Sequence, residues 1–195
     1  MRETLARLTT NVLNPFLASF IVMVLLAFRG TAGTLEAIKW ASISVALSIL
    51  PVLGAVLYLV WQKKLDGVFV NPRQQRTVVY LLASVLGAVG WLVLRYGGGP
   101  ELLEDTFAAG LVAIVVFMII NLFWKISLHT AFMSGAVAVL IIVHGLAAAW
   151  TIVLLPLVAW ARMALKQHTV VQVVVGAVLA AAIVIVVFWG YGEVG

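Results

Sequence analysis

The sequence predicts an all-α, polytopic transmembrane helical bundle of six or seven spans, with seven preferred. Three observations predict it. Of 195 residues, 65% are hydrophobic and only 10% charged, where soluble domains run at roughly 45–50% and about 25%. The mean hydropathy is +1.20. The twelve basic and seven acidic side chains gather in short clusters, and the intervals between them carry no charge at all. So few charges cannot coat a water-soluble globule of this size, so lipid must serve as the solvent. The length suits a single integral membrane domain over residues 1–195, with no room for a separate soluble one.

The charge-free intervals are 8–28, 40–62, 77–94, 106–124, 126–161 and 167–192. A helix crosses the hydrocarbon with roughly 17–25 apolar residues, so five of these intervals read as one crossing each. The interval 126–161 would make a helix of roughly 54 Å, too long for one pass. It must fold back. His144-Gly145 with the small run Ala147-Ala148-Ala149 is the expected corner, giving helices over about 129–145 and 148–162. In the first interval, Asn14-Pro15 suits a helix start, because proline has no N–H to leave unsatisfied there. The interval lacks a small-residue cleavage site, so it reads as a retained span rather than a signal peptide. Pro156 is expected to kink the sixth helix. Gly87 with Gly90, Gly135, and Gly176 with Ala180 are expected where helices approach closely.

Composition also excludes whole classes of chemistry. With no Cys, the chain has no disulfide framework, thiolate metal site or cysteine nucleophile. A net charge of +5, small and scattered, gives no support to a nucleic-acid partner. It fits loops that face membrane lipids with anionic headgroups. Seven spans put the N-terminus, 62–76, 125–129 and 162–168 on one face, and 29–39, 95–105, 145–149 and the C-terminus on the other. Nine of the twelve Lys and Arg fall on the first face. The positive-inside rule then makes that face cytoplasmic.

Three polar clusters share this face: Asp66 to Arg76, Lys125 to Thr130, and Arg162 to Gln172. Ionisable groups at membrane helix ends are functional suspects. Two of the three histidines, His129 and His168, lie among them. If 125–129 is helical, Lys125 and His129 share a side at i, i+4. Convergent Arg and Lys with two imidazoles suit a phosphate, the cations holding oxygens while His supplies a nucleophile or general acid. Other groups read more plainly. Flanking Arg and Lys commonly anchor spans in the headgroup region, and Trp40, Trp61, Trp124, Trp150 and Trp189 read as interfacial belt residues. His144 reads as a helix–helix hydrogen bonder. Glu101, Glu104 and Asp105 read as a solvated helix start. Asp66 near Asn71 hints at a metal-bound diphosphate site, but no second aspartate cluster shares the face.

The third cluster carries a resemblance. Arg162, five residues, His168, three residues and Gln172 resembles the last signature of the type 2 phosphatidic acid phosphatase superfamily, in which that final position is usually Asp. Ser127 and His129 resemble its middle Pro-Ser-Gly-His signature without the Pro and Gly. Arg73 and Arg76, or Lys125 alone, stand for its basic first signature. The run His168-Thr169-Val170-Val171-Gln172-Val173 is similar to the variant found in the dolichyl diphosphate phosphatases of that superfamily. The resemblance covers about residues 62–189.

What it implies is a metal-independent membrane phosphatase needing no cofactor, acting on a lipid phosphate or diphosphate, with an isoprenoid (polyprenyl) phosphate favoured. His168 would attack phosphorus and form a phosphohistidine. His129 would protonate the leaving group and then activate water. Arg162, Lys125, Arg73, Arg76, Ser127 and Lys166 would bind phosphate oxygens, with Lys166 equally a headgroup anchor. Gln172 would accept a hydrogen bond from His168 and fix its tautomer. The setting would be a cell inner membrane with the site toward the cytoplasm. The alternatives are a non-hydrolytic phosphate-binding or phosphotransferase relative, and a non-enzymatic membrane subunit.

Overall fold

A computed structural model describes residues 1–69 and 72–192. Among these there are helices and no strands: α1 (Arg2–Val12), α2 (Pro15–Gly30), α3 (Thr34–Trp61), α4 (Arg73–Gly97), α5 (Glu101–Asn121), α6 (Leu128–His144), a 3-10 segment (Gly145–Val153), α7 (Leu154–Ala164) and α8 (Val170–Gly190). Six stretches are long and apolar enough to cross a bilayer: Arg2–Gly30, Thr34–Trp61, Arg73–Gly97, Glu101–Asn121, Leu128–Ala164 and Val170–Gly190. The chain is an all-α membrane protein. Its residues gather into two compact units, Met1–Val22 with Lys125–Gly195, and Met23–Trp124.

In the first unit, the 37-residue stretch Leu128–Ala164 reverses as expected. Gly145 ends α6 at φ 62°, ψ −146°, a backbone conformation that side chains rarely adopt. Met133 and Val137 of α6 then share an apolar core with Val158 of α7, joined by Ile141, Leu154 and Leu155 and by Ala18 of α2. The expected kink at Pro156 is not found. The proline lies in the first turn of α7 instead, and the nine residues before that helix are 3-10. Its ring crowds the carbonyl four residues back and it has no N–H to offer, so the α pattern cannot run back through Ile152. Runs of 3-10 helix beyond three or four residues are uncommon; here Thr151 Oγ1 helps by donating to the Ala148 carbonyl at 2.6 Å.

Charge-free interval 8–28 also divides. Helix α1 ends at Val12 and α2 opens at Pro15, with Asn14 Oδ1 accepting from the Leu17 N–H at 3.0 Å. The first turn of α2 is thus capped where the Asn-Pro pair predicts. Helix α1 packs along α7, burying Ala6 and Thr10. His144 departs from expectation: among the described residues its Nδ1 makes no hydrogen bond.

In the second unit, α4 lies antiparallel to α5. Arg95 meets Glu104 at 3.3 Å near one end, and Asn121 Nδ2 donates to the Arg73 carbonyl at 3.0 Å near the other. Gly90 sits under the Phe107 ring and Gly87 beside Leu111, the close approach expected of that stripe. Two expectations are corrected. Glu104 and Asp105 are buried rather than solvated; they fall on the inner face of α5, where Arg95 offsets the charge of Glu104. Trp40 is buried as well, beneath Lys39 at 4.7 Å and against Gly97, whereas Trp61, Trp150 and Trp189 are exposed in the manner of belt residues.

Candidate functional site

The site begins with how α6 and α8 meet in the first unit. Ser127 precedes α6 in an extended conformation, and its N–H donates to the Gln172 carbonyl in the first turn of α8 at 3.2 Å. Thr130 Oγ1 reaches both the Ser127 carbonyl (3.0 Å) and the Val173 carbonyl (3.2 Å). One turn on, Ser134 Oγ donates to the Ala177 carbonyl at 2.8 Å. Rising numbers on one helix meet rising numbers on the other, so α6 and α8 run parallel and both start at the same end. Gly176 permits this: a Cβ there would lie 2.9 Å from the Ser127 carbonyl oxygen. Two parallel helices direct their partial positive charges to that end.

The end of α7 joins them there. Its last turn closes with Gln167 N–H on the Arg162 carbonyl at 3.1 Å and Lys166 N–H on the Met163 carbonyl at 2.9 Å. This is a Schellman motif, which usually places glycine at the left-handed position. Here Lys166 holds it, at φ 54°. The turn delivers His168 to the residue before Thr169, the N-cap of α8. Thr169 and Gln172 form a capping box: the Thr169 hydroxyl accepts from the Gln172 N–H at 3.4 Å, and Gln172 Oε1 accepts from the Thr169 N–H at 3.3 Å.

Gln172 Oε1 also lies 3.1 Å from His168 Nδ1. A backbone N–H can only donate, so the amide group presents oxygen to this corner. His168 Nδ1 must then carry the proton. In the neutral ring Nε2 is then the nitrogen without a proton, the tautomer a nucleophilic imidazole needs.

A continuous path of bonds therefore links Arg162 through Gln167, His168 and Gln172 to Ser127. Arg162, Ser127, His129 and His168 are all buried. Lys125, His129, Arg162 and His168 are each engaged with neighbouring groups rather than free. Ser127 differs. It is wholly buried, it stands at the N-cap of α6 without capping it, and its hydroxyl has no partner among the described residues. A buried hydroxyl without a partner costs free energy, and a serine at an N-cap ordinarily bonds the first turn.

The other expected residues lie as follows. Residues 124–127 are not helical, so the i, i+4 relation of Lys125 to His129 does not hold; the extended Ser127 between them, turned toward α8, breaks the register. Lys125 is half-buried and Lys166 exposed. Arg73 and Arg76 belong to the second unit, at the start of α4, with Arg76 buried. Asp66 is committed to Gln75, its N–H donating to Oε1 at 3.1 Å and its Oδ1 accepting from Nε2 at 3.2 Å. Its suggested partner Asn71 lies outside the described residues.

Sequence reading missed the supporting residues Thr130 and Ser134. Their signal was present, since Ser127, Thr130 and Ser134 recur at helical spacing on a segment whose other residues, His129 apart, are apolar. It also missed Thr169, although Thr-x-x-Gln before an apolar run is a helix-start signature. No family model, curated protein or solved structure matches the chain at a significant level.

Proposed function

We propose that the chain is an integral membrane lipid phosphatase, hydrolysing a phosphomonoester or diphosphate of a lipid, with an isoprenoid phosphate favoured, at the cytoplasmic edge of a cell inner membrane. The observation that carries this reading is the Ser127 hydroxyl, buried and unspent at the start of α6. The first N–H groups of a helix and an unused hydroxyl together suit an anion. The bonded path joins Ser127 to His168 and to the backbone of buried Arg162, so the reading draws its nucleophile and its guanidinium from one connected turn.

In this reading, His168 Nε2 attacks phosphorus. The bond from phosphorus to the leaving oxygen breaks, and His129 gives that oxygen a proton where it needs one. Water then cleaves the phosphorus–nitrogen bond, its proton passing to His129 and the phosphate leaving. Arg162 and the N–H groups of α6 hold the oxygens whose charge grows in the transition state. Gln172 keeps the His168 tautomer but brings no negative charge to stabilise the imidazolium.

The expected result is release of inorganic phosphate from a polyprenyl phosphate by the detergent-solubilised protein, undiminished by EDTA, with an acid-labile phosphohistidine trapped on rapid quenching. No phosphate release from any lipid phosphate would remove the reading.

One feature favours a second, non-hydrolytic reading: Gln172 is neutral and already occupied as a capping residue. Gln172→Glu separates the two. Glutamate keeps the capping box and suits a helix start, so the fold holds. A phosphatase should gain about tenfold in turnover, equivalent to about one pKa unit of imidazolium stabilisation. A phosphate-binding protein should bind inorganic phosphate and release none from lipid, with or without the substitution.

A further inference from the structure

The first turns of α4, in the second unit, hold two buried polar side chains that the mechanism above does not use. Arg76 and Tyr80 stand four residues apart on one face of the helix, and they are 3% and 5% exposed. Side chains on a helix lean toward its N-terminus, so the Tyr80 ring reaches back over the turn that carries Arg76. The phenol and the guanidinium interact there. Yet the Tyr80 hydroxyl completes no hydrogen bond of ordinary geometry among the described residues. A buried hydroxyl left in that state costs free energy, and an ionisable group in a membrane helix is a functional suspect.

The surroundings hold this corner in place. Asn121 Nδ2 donates to the Arg73 carbonyl at 3.0 Å, which pins the first residue of α4 to the end of α5. Gln75 is clasped to Asp66 by two hydrogen bonds. The N-cap of α4 is Pro72, and no side chain caps the helix. Its first N–H groups therefore keep their partial positive charge for another acceptor.

We infer that the start of α4 is an anion-recognition corner in which the Tyr80 hydroxyl donates to a phosphate group held by Arg76; the choice of phosphate rests on the phosphatase reading above. A phenol oxygen can accept from a guanidinium while its hydrogen is given to a third group. Guanidinium, hydroxyl and helix N–H groups offer donors alone, so a cation finds no ligand among them. A phosphate group has enough acceptor oxygens to engage all three kinds of donor together. Tyr80 is the binding residue this adds to Arg76. A lipid phosphate and free phosphate share the chemistry, and the two are separated by the probes used.

The test compares full-length wild type, Tyr80→Phe and Ser84→Ala in detergent, by calorimetric titration with inorganic phosphate and by turnover of a polyprenyl phosphate. Ser84 is the control: its Oγ is also buried without a partner, but it lies one turn, about 6 Å, further from the helix start. Tyr80→Phe should weaken phosphate binding and raise KM on the lipid phosphate, each by about tenfold, the loss of a hydrogen bond to a charged group. Its kcat should change less than about threefold, because ground state and transition state lose the same contact. Its Tm without phosphate should hold or rise, since the oxygen removed is unspent in the free protein. Ser84→Ala should change neither binding nor turnover. A raised KM with unchanged binding of free phosphate would assign the corner to the lipid headgroup. No weakening by Tyr80→Phe, equal weakening by Ser84→Ala, or a Tm lowered by several degrees in Tyr80→Phe would overturn the inference and leave the phosphatase reading standing. A wild type that binds phosphate through Tyr80 but releases none from lipid would end the phosphatase reading and keep the corner.

Discussion

His168→Ala should abolish phosphate release, lowering kcat by at least about 10³-fold, while the protein stays folded. On the proposed mechanism this removes the nucleophile, and with it the covalent intermediate. The hydrogen bond to Gln172 goes with the ring, a loss of about 1 kcal/mol. The capping box survives, because Thr169 and Gln172 satisfy each other without the imidazole. Binding of a lipid phosphate should persist, since Arg162, Ser127 and the helix starts remain. The check is single-turnover phosphate release beside a thermal unfolding curve in detergent. Full turnover by this variant would remove the covalent mechanism whatever the substrate.

Gly176→Val should damage both stability and activity. The Cβ of any larger residue meets the Ser127 carbonyl oxygen at 2.9 Å, and that oxygen is backbone, with no rotamer to yield. Helices α6 and α8 must part where Ser127 donates to Gln172. Overpacking of this kind costs about 1–3 kcal/mol. Displacing reacting groups by about 1 Å costs roughly a hundredfold in rate, so kcat should fall by that order. Gly135→Ala is the fitting comparison. It faces the same helix, but its Cβ would lie 3.7 Å from Val184, an ordinary contact, so activity and Tm should hardly change. Undiminished turnover in Gly176→Val would mean that the α6–α8 junction does not position the chemistry.

The parts of the fold that follow from solvent choice are legible in the chain. Charge-free intervals mark the apolar helices because ionised groups are excluded from hydrocarbon, and the reversal near Gly145 follows from length alone. Where a neighbour decides, the sequence misleads. Glu104 and Asp105 look like a solvated helix start until α4 brings Arg95 beside Glu104. Pro156 looks like a mid-helix kink because the 3-10 segment before it has no sequence period of its own to distinguish it. In the candidate site, Arg162, His168 and Gln172 are readable because they sit on one continuous turn and helix start. The role of Ser127 is not, because its idle hydroxyl becomes visible only once its backbone is committed to α8. Lys166 shows the same limit: nothing in its neighbours announces a left-handed backbone where glycine is usual.

The brevity of α6 has a further consequence. Seventeen residues span about 26 Å at 1.5 Å each, less than the roughly 30 Å of a bilayer's oily slab. If Gly145 stands at the far boundary, Ser127 and His129 would lie a few ångströms below the near one, unless the lipid thins to meet them. On the proposed function, a headgroup phosphate would have to sink to reach such a depth, drawn downward while its hydrocarbon tail stays immersed. Soluble phosphate esters, with no tail to hold them at that level, would be poor competitors.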